Sequence, residues 1–227
     1  MANFKIVSIE GNIGSGKSTL LERLRTFYKD NKNVIFLREP VDDWEKIKDK
    51  EGNTMLKKFY DNQEKYSFAF QIMAYISRLK ILKDAVKANE HTNTIIITER
   101  SLYTDKYVFA KMLYEQGKIE DVCYQIYLNW FDAFITDFDF NHTIYVNTEP
   151  QICYNRIHKR ARVGEELIPL SYLEDCHKCH NDFLDPEKGI KTEKLVLDGN
   201  VDIYEQEHIL HEWLNLIDEF IHKQETL

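Results

Sequence analysis

The sequence predicts an α/β fold of one domain with a parallel sheet, and three observations support this class. Short apolar runs rich in β-branched residues alternate with longer segments of helical periodicity, as in βαβ units. A glycine-rich segment connects the first of these runs to the first helical segment. The 227 residues are 43% hydrophobic and 30% charged, which suits one large core without a long linker. We therefore expect residues 1–227 to form a single domain.

The two kinds of segment follow one another in a regular order along the chain. Strands are expected at residues 4–10, 34–39, 94–99, 142–147 and 194–199, where apolar and β-branched residues are concentrated. Helical periodicity predicts helices at 16–29, 66–89, 101–115, 119–136, 150–161, 170–184 and 205–223. Ile95, Ile96 and Ile97 show no polar alternation, which is typical of a strand covered on both faces, so the 94–99 strand is predicted to be central.

Charge and composition exclude several classes of protein. The formal net charge of −8 argues against a surface that binds nucleic acid. No apolar run is long enough to span a membrane, and the first residues lack the pattern of a secretory leader, so we expect a cytoplasmic protein with no membrane partner. The four cysteines are then expected to be free thiols. Cys176 and Cys179 lie within a predicted helix, which argues against a haem-attachment or redox motif.

The glycine-rich segment from Gly11 to Ser18 matches G-x-x-x-x-G-K-[ST] in full and lies between a predicted strand and a predicted helix. In such a loop the backbone N–H groups face phosphate oxygens, the lysine reaches the β- and γ-phosphates, and the last hydroxyl ligates Mg²⁺. The loop alone leaves open hydrolysis, switching or phosphoryl donation, and the lack of an N-K-x-D guanine-reading motif favours donation. Contacts with ATP are expected from Gly11, Asn12, Ile13, Gly14, Ser15, Gly16, Lys17, Ser18 and Thr19.

Charged residues end two of the other predicted strands. Glu39 ends the 34–39 strand, and Glu99 is followed by Arg100 at the end of the 94–99 strand. Ligands of open parallel sheets collect at the carboxyl ends of the strands, so these side chains are expected beside the phosphate loop. A lone charge at a strand end is commonly a solvated edge. Two carboxylates and a guanidinium beside one phosphate loop indicate a site.

Beside the phosphate loop, several short motifs are spread along the chain, namely Glu39-Pro40-Val41 with Trp44, Tyr60, Phe70-Gln71, Glu99-Arg100-Ser101, Lys159-Arg160-Ala161-Arg162 and Ile168-Pro169-Leu170. Taken together, these motifs resemble those of the deoxynucleoside kinase family, which includes deoxycytidine, deoxyguanosine and mitochondrial thymidine kinases. The resemblance covers nearly the whole chain. It implies a P-loop kinase fold with a five-stranded parallel sheet, a lid at about residues 156–168, a deoxynucleoside substrate with ATP and Mg²⁺, and a homodimer joined through helices.

The resemblance also implies a role for each matching residue in phosphoryl transfer. Glu39 would accept the proton of the substrate 5′-hydroxyl, while Arg100 and Lys17 would stabilise the transferring phosphoryl group. Glu99 would hold Mg²⁺ together with Ser18. The nucleotide would also contact the lid arginines and a loop late in the chain, through Arg156, Arg160, Arg162, Asp202 and Ile203.

A further set of residues would bind the deoxynucleoside by resemblance. Aromatic side chains at Phe70 and Phe109 would sandwich the base, Gln71 would read its edge, and Tyr60 and Glu165 would bind the 3′-hydroxyl. Arg78 and Asp105 match the charged pair of the kinases that act on deoxycytidine and purine deoxynucleosides, so these substrates are expected over thymidine. A structural ion pair without ligand contact is the alternative. The full set is Glu39, Trp44, Tyr60, Phe70, Gln71, Ala74, Arg78, Arg100, Asp105, Phe109 and Glu165.

The predicted lid contains the most basic stretch of the chain, from Arg156 to Arg162. A loop that closes several cations over the phosphates would stabilise developing charge and exclude water. A solvated basic helix end is the alternative. Val163 and Gly164 replace the polar or acidic residues that the family usually has here, and this departure affects the expected position of Glu165.

Two other functions stay open from the sequence. A deoxynucleoside monophosphate kinase shares the phosphate loop and the Arg38-Glu39-Pro40 pattern, but it needs further cations for the phosphate of its substrate. A regulatory subunit could bind nucleotide without turnover. The presence of Glu39 and Lys17 argues against a subunit that has lost its chemistry.

Overall fold

The structure, a computed structural model, describes residues 4–89, 93–138, 140, 142–162 and 164–223. Its strands are β1 (Phe4–Glu10), β2 (Val34–Leu37), β3 (Thr94–Glu99), β4 (His142–Asn147) and β5 (Glu193–Asp198). They form one parallel sheet in the order β2-β3-β1-β4-β5. The predicted α/β class and the parallel sheet are therefore confirmed.

The strand predicted to be central lies one position away from the centre. β1 is the middle strand, and β3 lies between β2 and β1. Ile96 and Ile97 are fully buried, in the hydrophobic cores on opposite faces of the sheet. An apolar run without alternation indicates that both faces of a strand are buried, and this is also true of a strand next to the central one. The position predicted for this strand was therefore wrong.

Helices connect the strands and cover both faces of the sheet. A π-helical segment (Asp105–Ala110) follows α5, and a 3₁₀ segment (Glu165–Leu167) precedes α9. α2 and α3 were not predicted, because segments this short do not show a clear helical repeat. The helices are α1 (Lys17–Phe27), α2 (Val41–Trp44), α3 (Met55–Asp61), α4 (Gln63–Ala88), α5 (Leu102–Thr104), α6 (Lys111–Glu115), α7 (Asp121–Ile135), α8 (Pro150–Arg160), α9 (Leu170–Phe183) and α10 (Glu207–His222).

The helix predicted at 101–115 contains an irregularity that periodicity did not show. α5 passes into the π-helical segment, which continues into α6. A π-turn adds one residue to the α-helical repeat and so changes the direction of the side chains around it, and such segments are frequent at functional sites. Asp105 and Phe109, predicted to lie one turn apart on an α-helix, both belong to this segment.

Alternate residues of the inner strands belong to two separate cores. Val7 and Ile97 pack with residues of α1 and α10, whereas Ile6 and Ile96 pack with residues of α4 and α7. This division follows from the two-residue period of a strand. Since all strands are parallel, the carboxyl ends of β1, β2 and β3 meet at one edge of the sheet, where their following loops come together.

Two further expectations concern the cysteines and the helices. All four cysteines are free, and Cys176 and Cys179 lie inside α9, as predicted. Burial raises the pKa of the Cys179 thiol to about 11, which leaves little reactive thiolate at neutral pH. Among the described helices, none combines the length and the apolar character needed to cross a membrane.

Candidate active site

A cavity of about 460 Å³ opens where the carboxyl ends of β1, β2 and β3 meet. Gly11 and Asn12, the first two residues of the phosphate loop, were expected to contact the nucleotide, but both are buried and neither is among the residues that line the cavity. The other residues predicted to form the site all line it, namely Ile13, Gly14, Ser15, Gly16, Lys17, Ser18, Thr19, Glu39, Trp44, Tyr60, Phe70, Gln71, Ala74, Arg78, Glu99, Arg100, Asp105, Phe109, Arg156, Arg160, Arg162, Glu165, Asp202 and Ile203.

The phosphate loop has a conformation that requires glycine. Gly14 has a φ of +79°, and a Cβ atom there would lie 2.6 Å from the carbonyl oxygen of Cys153. The side-chain amide of Asn12 donates to the carbonyl of Leu173 at 2.8 Å, and its oxygen accepts from the N–H of Ile13 at 2.8 Å. Asn12 thus ties the loop to α9 from behind, and its side chain does not face the cavity where the nucleotide contact was expected.

Lys17, the first residue of α1, is 4% exposed and folds back over the loop. Its Nζ donates to the carbonyl oxygen of Asn12 at 2.6 Å and lies 3.5 Å from Ser15 Oγ. Burial, and then the positive charge of Arg100, lower the pKa of Lys17 to about 7. A phosphate group in the loop would supply the opposite charge, so the site favours an anion.

Ser18 and Glu99 provide oxygen atoms suited to a divalent cation. Ser18 Oγ donates to Glu99 Oε1 at 2.5 Å, and Glu99 is buried at the end of β3. Within the described ranges, no group of three or more His, Cys, Asp or Glu side chains could hold a metal ion. One hydroxyl and one carboxylate fit Mg²⁺, which commonly completes its coordination with phosphate oxygens and water.

Glu39 lies two residues beyond the end of β2 and reaches into the cavity. Its Oε1 accepts from Arg78 Nη2 at 3.0 Å and lies 3.4 Å from Arg100 Nε. Burial favours the neutral acid, but the positive charges of Arg100, Arg78 and Lys17 outweigh burial and lower the pKa of Glu39 to about 2. Glu39 is therefore an ionised carboxylate at neutral pH, held between two arginines.

Arg100 follows β3 with a φ of +65°, a left-handed conformation that is unusual for a residue with a side chain. Its backbone N–H donates to the carbonyl of Ile9 at 3.0 Å, and Nη1 donates to the carbonyl of Gly11 at 2.7 Å. The guanidinium carbon lies 4.9 Å from the centroid of the Phe109 ring. These contacts fix a buried cation between the phosphate loop and Glu39.

Sequence reasoning missed Glu10, the last residue of β1. Glu10 is fully buried, and its Oε1 accepts the backbone N–H of Ser101 at 2.9 Å while Oε2 accepts the hydroxyl of Thr104. These bonds attach the turn that follows Arg100 to the central strand. The available signal was a carboxylate at the end of an apolar strand, since a buried carboxylate needs hydrogen-bond donors.

Arg78 and Asp105 form a two-point ion pair inside the protein. Arg78 Nε and Nη2 donate to the two carboxylate oxygens of Asp105 at 2.9 and 3.2 Å. Burial opposes the charge on Arg78, but Asp105 and then Glu39 outweigh it and raise the pKa of Arg78, so the guanidinium stays protonated. The pair lines the cavity and is also satisfied internally, so both interpretations of these residues stay open.

Gln71 and several aromatic residues form the apolar end of the cavity. Gln71 is 2% exposed, and its Oε1 has no hydrogen-bond partner among the described residues. A buried acceptor without a donor is uncommon in a folded protein, and a ligand N–H group would satisfy it. Phe70 stacks on Phe59 with ring centroids 4.5 Å apart and meets Trp44 edge-on at 5.6 Å. These contacts fix the Phe70 ring beside Gln71.

Glu165, predicted to bind the sugar 3′-hydroxyl, pairs with two arginines of the predicted lid. It is 5% exposed, and it accepts from Arg160 Nη2 at 2.5 Å and from Arg162 Nη1 at 3.2 Å. Burial, and then the negative charge of Glu165, raise the pKa of Tyr60 well above its usual value, so the Tyr60 hydroxyl keeps its proton. Val163, which together with Gly164 departs from the usual residues of the family, lies outside the described residues.

Arg156 has a different environment from the other lid arginines. Its guanidinium donates to the carbonyl oxygens of Ser15 at 3.3 Å, Gly199 at 2.8 Å and Val201 at 3.0 Å. Arg156 therefore clamps α8 to the phosphate loop and to the loop after β5. Asp202, which follows Val201 in the loop after β5, also lines the cavity.

The phosphate loop, the ionised carboxylate and the arginine that share this cavity define a P-loop phosphotransferase. The model of the deoxynucleoside kinase family matches residues 7–222, and the chain belongs to this family. The family and the P-loop kinase fold expected from the resemblance are thus confirmed. The roles of individual residues stay predictions, because likeness of sequence does not show what each side chain does.

Relatives of the chain are named for different bases. A probable deoxycytidine kinase of Fowlpox virus is 35% identical over 223 residues, which cover 96% of this chain and 88% of the relative. Deoxycytidine kinase 1 of Xenopus laevis is 31% identical, with 96% and 90% covered. The mitochondrial thymidine kinase 2 of Homo sapiens is 30% identical, with 94% and 75% covered. Membership of the family therefore leaves the preferred base undecided.

Proposed function

We propose that this chain transfers the γ-phosphoryl group of ATP to the 5′-hydroxyl of a deoxynucleoside, a reaction of nucleotide salvage. The observation that carries the proposal is the position of Glu39, whose carboxylate shares a cavity with the phosphate loop and contacts Arg78 and Arg100 at 3.0 and 3.4 Å. A nucleoside in this cavity would present its hydroxyl both to Glu39 and to the terminal phosphate. The free thiols suit a reducing compartment, and we place the reaction in the cytoplasm.

The charges around Glu39 suit a reaction in which the hydroxyl proton leaves late. With a pKa of about 2, Glu39 is ionised but is a weak base. In a loose phosphoryl-transfer transition state the hydroxyl becomes acidic only as the new bond to phosphorus forms, so its orientation by a carboxylate matters more than basicity. Arg100, beside Glu39, would offset the negative charge on the phosphoryl oxygens.

A divalent ion bound with the nucleotide would neutralise part of the charge on the β- and γ-phosphates. Ser18 and Glu99 are the residues that would hold Mg²⁺, Ser18 through its hydroxyl and Glu99 through water. Lys17 would meet the same phosphates from within the loop. Its pKa would return toward the ordinary value there, because a phosphate counteracts the effect of burial.

We propose that Gln71 and the Arg78–Asp105 pair read the base, with purine deoxynucleosides or deoxycytidine preferred over thymidine. Gln71 Oε1, without a partner in the described part of the chain, would accept a base N–H group. Asp105 would accept from an exocyclic amine, and Arg78 would donate to a ring nitrogen or carbonyl. Thymine offers no exocyclic amine and adds a methyl group.

We propose that residues 156–168 act as a lid in which Arg160 and Arg162 are the exchangeable cations. Their side chains are 37% and 35% exposed, and both are held by Glu165. Nucleotide phosphates would compete for these arginines, and Glu165 would then be available to the sugar 3′-hydroxyl. Arg156 would stay in place, since three backbone carbonyls hold it.

We also propose a homodimer formed through α4 and α7. These helices pack against each other and expose large apolar side chains, with Ile76 46%, Val122 62%, Ile126 46% and Trp130 49% exposed. An exposed apolar patch on two adjacent helices suits a second copy of the same face. Sedimentation should show a dimer that Ile126→Asp dissociates. Leu216→Asp on α10 is the matched control.

A coupled ATP-consumption assay over the four deoxynucleosides and their monophosphates tests the reaction. We expect turnover with deoxyadenosine, deoxyguanosine or deoxycytidine, at a kcat/KM at least about tenfold above that for thymidine. Turnover only with monophosphates would instead indicate a monophosphate kinase. Nucleotide binding without turnover of any acceptor would indicate a regulatory subunit. Thymidine as the best substrate would overturn the base preference alone.

A further inference from the structure

Behind Arg100 lies a histidine to which the proposed reaction gives no role. His180 on α9 has no exposed surface, and its Nε2 is 3.5 Å from Arg100 Nη1. We infer that His180 is a positioning residue: its Nε2 accepts a hydrogen bond from Arg100 and so sets the direction of the guanidinium. The inference rests on the proposed function, in which Arg100 stabilises the transferring phosphoryl group.

The hydrogen-bond partners of His180 assign its tautomer. Nδ1 is 2.7 Å from the carbonyl oxygen of Cys176, which can only accept, so Nδ1 carries the proton. The guanidinium of Arg100 can only donate, so Nε2 must be the acceptor. A second ring proton would place two cations side by side inside the protein. Burial, and then Arg100, hold the pKa of His180 well below its usual value, and the ring is neutral.

The bond to His180 adds to two other polar contacts of the Arg100 guanidinium. Nη1 donates to the carbonyl of Gly11 at 2.7 Å, and Nε faces Glu39 at 3.4 Å. Among the described residues, the side-chain hydrogen bonds of Arg100 both involve Nη1, which leaves Nη2 for a phosphoryl oxygen. The bond to His180 fixes the guanidinium plane that contains Nη2.

Aromatic contacts fix the orientation of the His180 ring. It stacks on Tyr145 of β4 with centroids 6.3 Å apart and planes 10° apart. It also meets the edge of Phe109, at 6.3 Å and 88°, and Phe109 in turn lies against the Arg100 guanidinium. Together with the Nδ1 bond to α9, these contacts hold Nε2 toward Arg100.

Two substitutions distinguish the contributions of the two ring nitrogens of His180. His180→Asn places an amide near Nδ1, so it keeps the bond to the Cys176 carbonyl but cannot reach Arg100. His180→Gln carries its amide oxygen near the position of Nε2 and can accept from Arg100. We expect His180→Asn to lower kcat about 10- to 100-fold, with KM for the deoxynucleoside changed less than about threefold. His180→Gln should retain most of the kcat of the unmodified protein. His177→Asn, on the same helix and half-buried, is the control.

A double-mutant cycle tests whether His180 acts through Arg100. In an Arg100→Lys background, His180→Asn should cause little further loss of kcat, because the shared contact is already gone. The inference would be overturned if the kcat losses of the two single variants multiplied in the double variant. It would also be overturned if His180→Asn left kcat unchanged while the unmodified chain was active. Either result would leave the proposed function intact. An unmodified chain without turnover would overturn the proposed function instead.

The tautomer provides a readout that does not depend on turnover. In ¹⁵N-histidine NMR spectra of the unmodified protein, the His180 signals should show a protonated Nδ1 and an unprotonated Nε2. A protonated Nε2 would overturn the inference even if the Asn and Gln variants failed to fold. The spectrum of the Arg100→Lys variant should show a changed Nε2 shift.

Discussion

Two ion groups line the cavity, and they differ mainly in their exposure to water. The buried ion group consists of one arginine and two carboxylates, 5%, 1% and 20% exposed, namely Arg78, Asp105 and Glu39. The lid ion group consists of two arginines and one carboxylate, 37%, 35% and 6% exposed, namely Arg160, Arg162 and Glu165.

Exposure determines what each group can do. Water competes weakly for the buried ion group, so its charges keep fixed positions, and loss of one member leaves an uncompensated buried charge. Water competes strongly for the two arginines of the lid ion group, so changing partner costs them little. A fixed group suits base recognition and orientation of the hydroxyl, whereas an exchangeable group suits opening and closing around phosphates.

The largest effect is expected at Glu39, where the buried ion group meets the chemistry. Glu39→Gln should lower kcat about 10²- to 10⁴-fold, because an amide cannot accept the hydroxyl proton and no longer attracts the two arginines as an anion does. Steady-state kinetics measure the loss. Glu174→Gln, an exposed carboxylate on α9, should keep normal kinetics. A Glu39→Gln variant with kcat within a factor of three would remove Glu39 from the mechanism.

The next effect is on stability, at Asp105. Asp105→Ala leaves Arg78 charged and buried with Glu39 as its remaining ion-pair partner, and should lower the free energy of unfolding by about 3–5 kcal/mol in urea titrations. Adding Arg78→Met should recover much of this loss, since both charges are then absent. Asp43→Asn, which breaks an exposed pair with Lys46, is the control. An Asp105→Ala loss as small as that of the control would show that burial does not distinguish the two groups.

A smaller effect is expected in the lid ion group. Glu165→Gln should change the free energy of unfolding by less than about 1 kcal/mol, because its arginine partners are more than a third exposed and water replaces the bonds. KM for the deoxynucleoside should rise, because the proposed contact with the 3′-hydroxyl weakens. A stability loss equal to that of Asp105→Ala would mean that the lid is as fixed as the base-reading pair.

The smallest effect concerns the phosphate loop between the two groups. Lys17 has a pKa of about 7 without nucleotide, so it is largely neutral at pH 8.5 and largely charged at pH 6. Nucleotide phosphates raise this pKa, so binding should take up a proton at pH 8.5 and almost none at pH 6. Calorimetry in buffers of different ionisation enthalpy measures the uptake. Equal proton uptake at pH 6 and pH 8.5 would contradict the lowered pKa of Lys17. Lys17→Met should abolish the difference in uptake between the two pH values.

Much of the site was predictable because its residues lie in short local patterns. The phosphate loop is contiguous, and Glu39, Glu99 and Arg100 follow apolar runs whose carboxyl ends must meet in a parallel sheet. The part that was not predictable depends on contacts between distant segments. Glu10 gave only a weak signal, because a carboxylate at a strand end is usually solvated.

Local irregularities also escaped the sequence patterns. The π-helical segment at Asp105–Ala110 was missed because its residues fit an α-helix equally well by periodicity. Arg156 and Arg160 lie one turn apart on α8 and looked equivalent, yet one binds backbone carbonyls and the other binds Glu165. Basic residues at a helical spacing are predicted to share a face of the helix, but the spacing does not predict the partner of each side chain.

By itself, the sequence determined the α/β class, the phosphate loop and the resemblance to one family of kinases, since these follow from periodicity and from motifs a few residues long. Tertiary structure alone decided which charges meet: Arg78 with Asp105, 27 residues apart, Ser18 with Glu99, 81 apart, and Arg100 with His180, 80 apart. The physical reason is that a hydrogen bond depends on ångström-scale distances between side chains, and the packing of the whole core sets those distances.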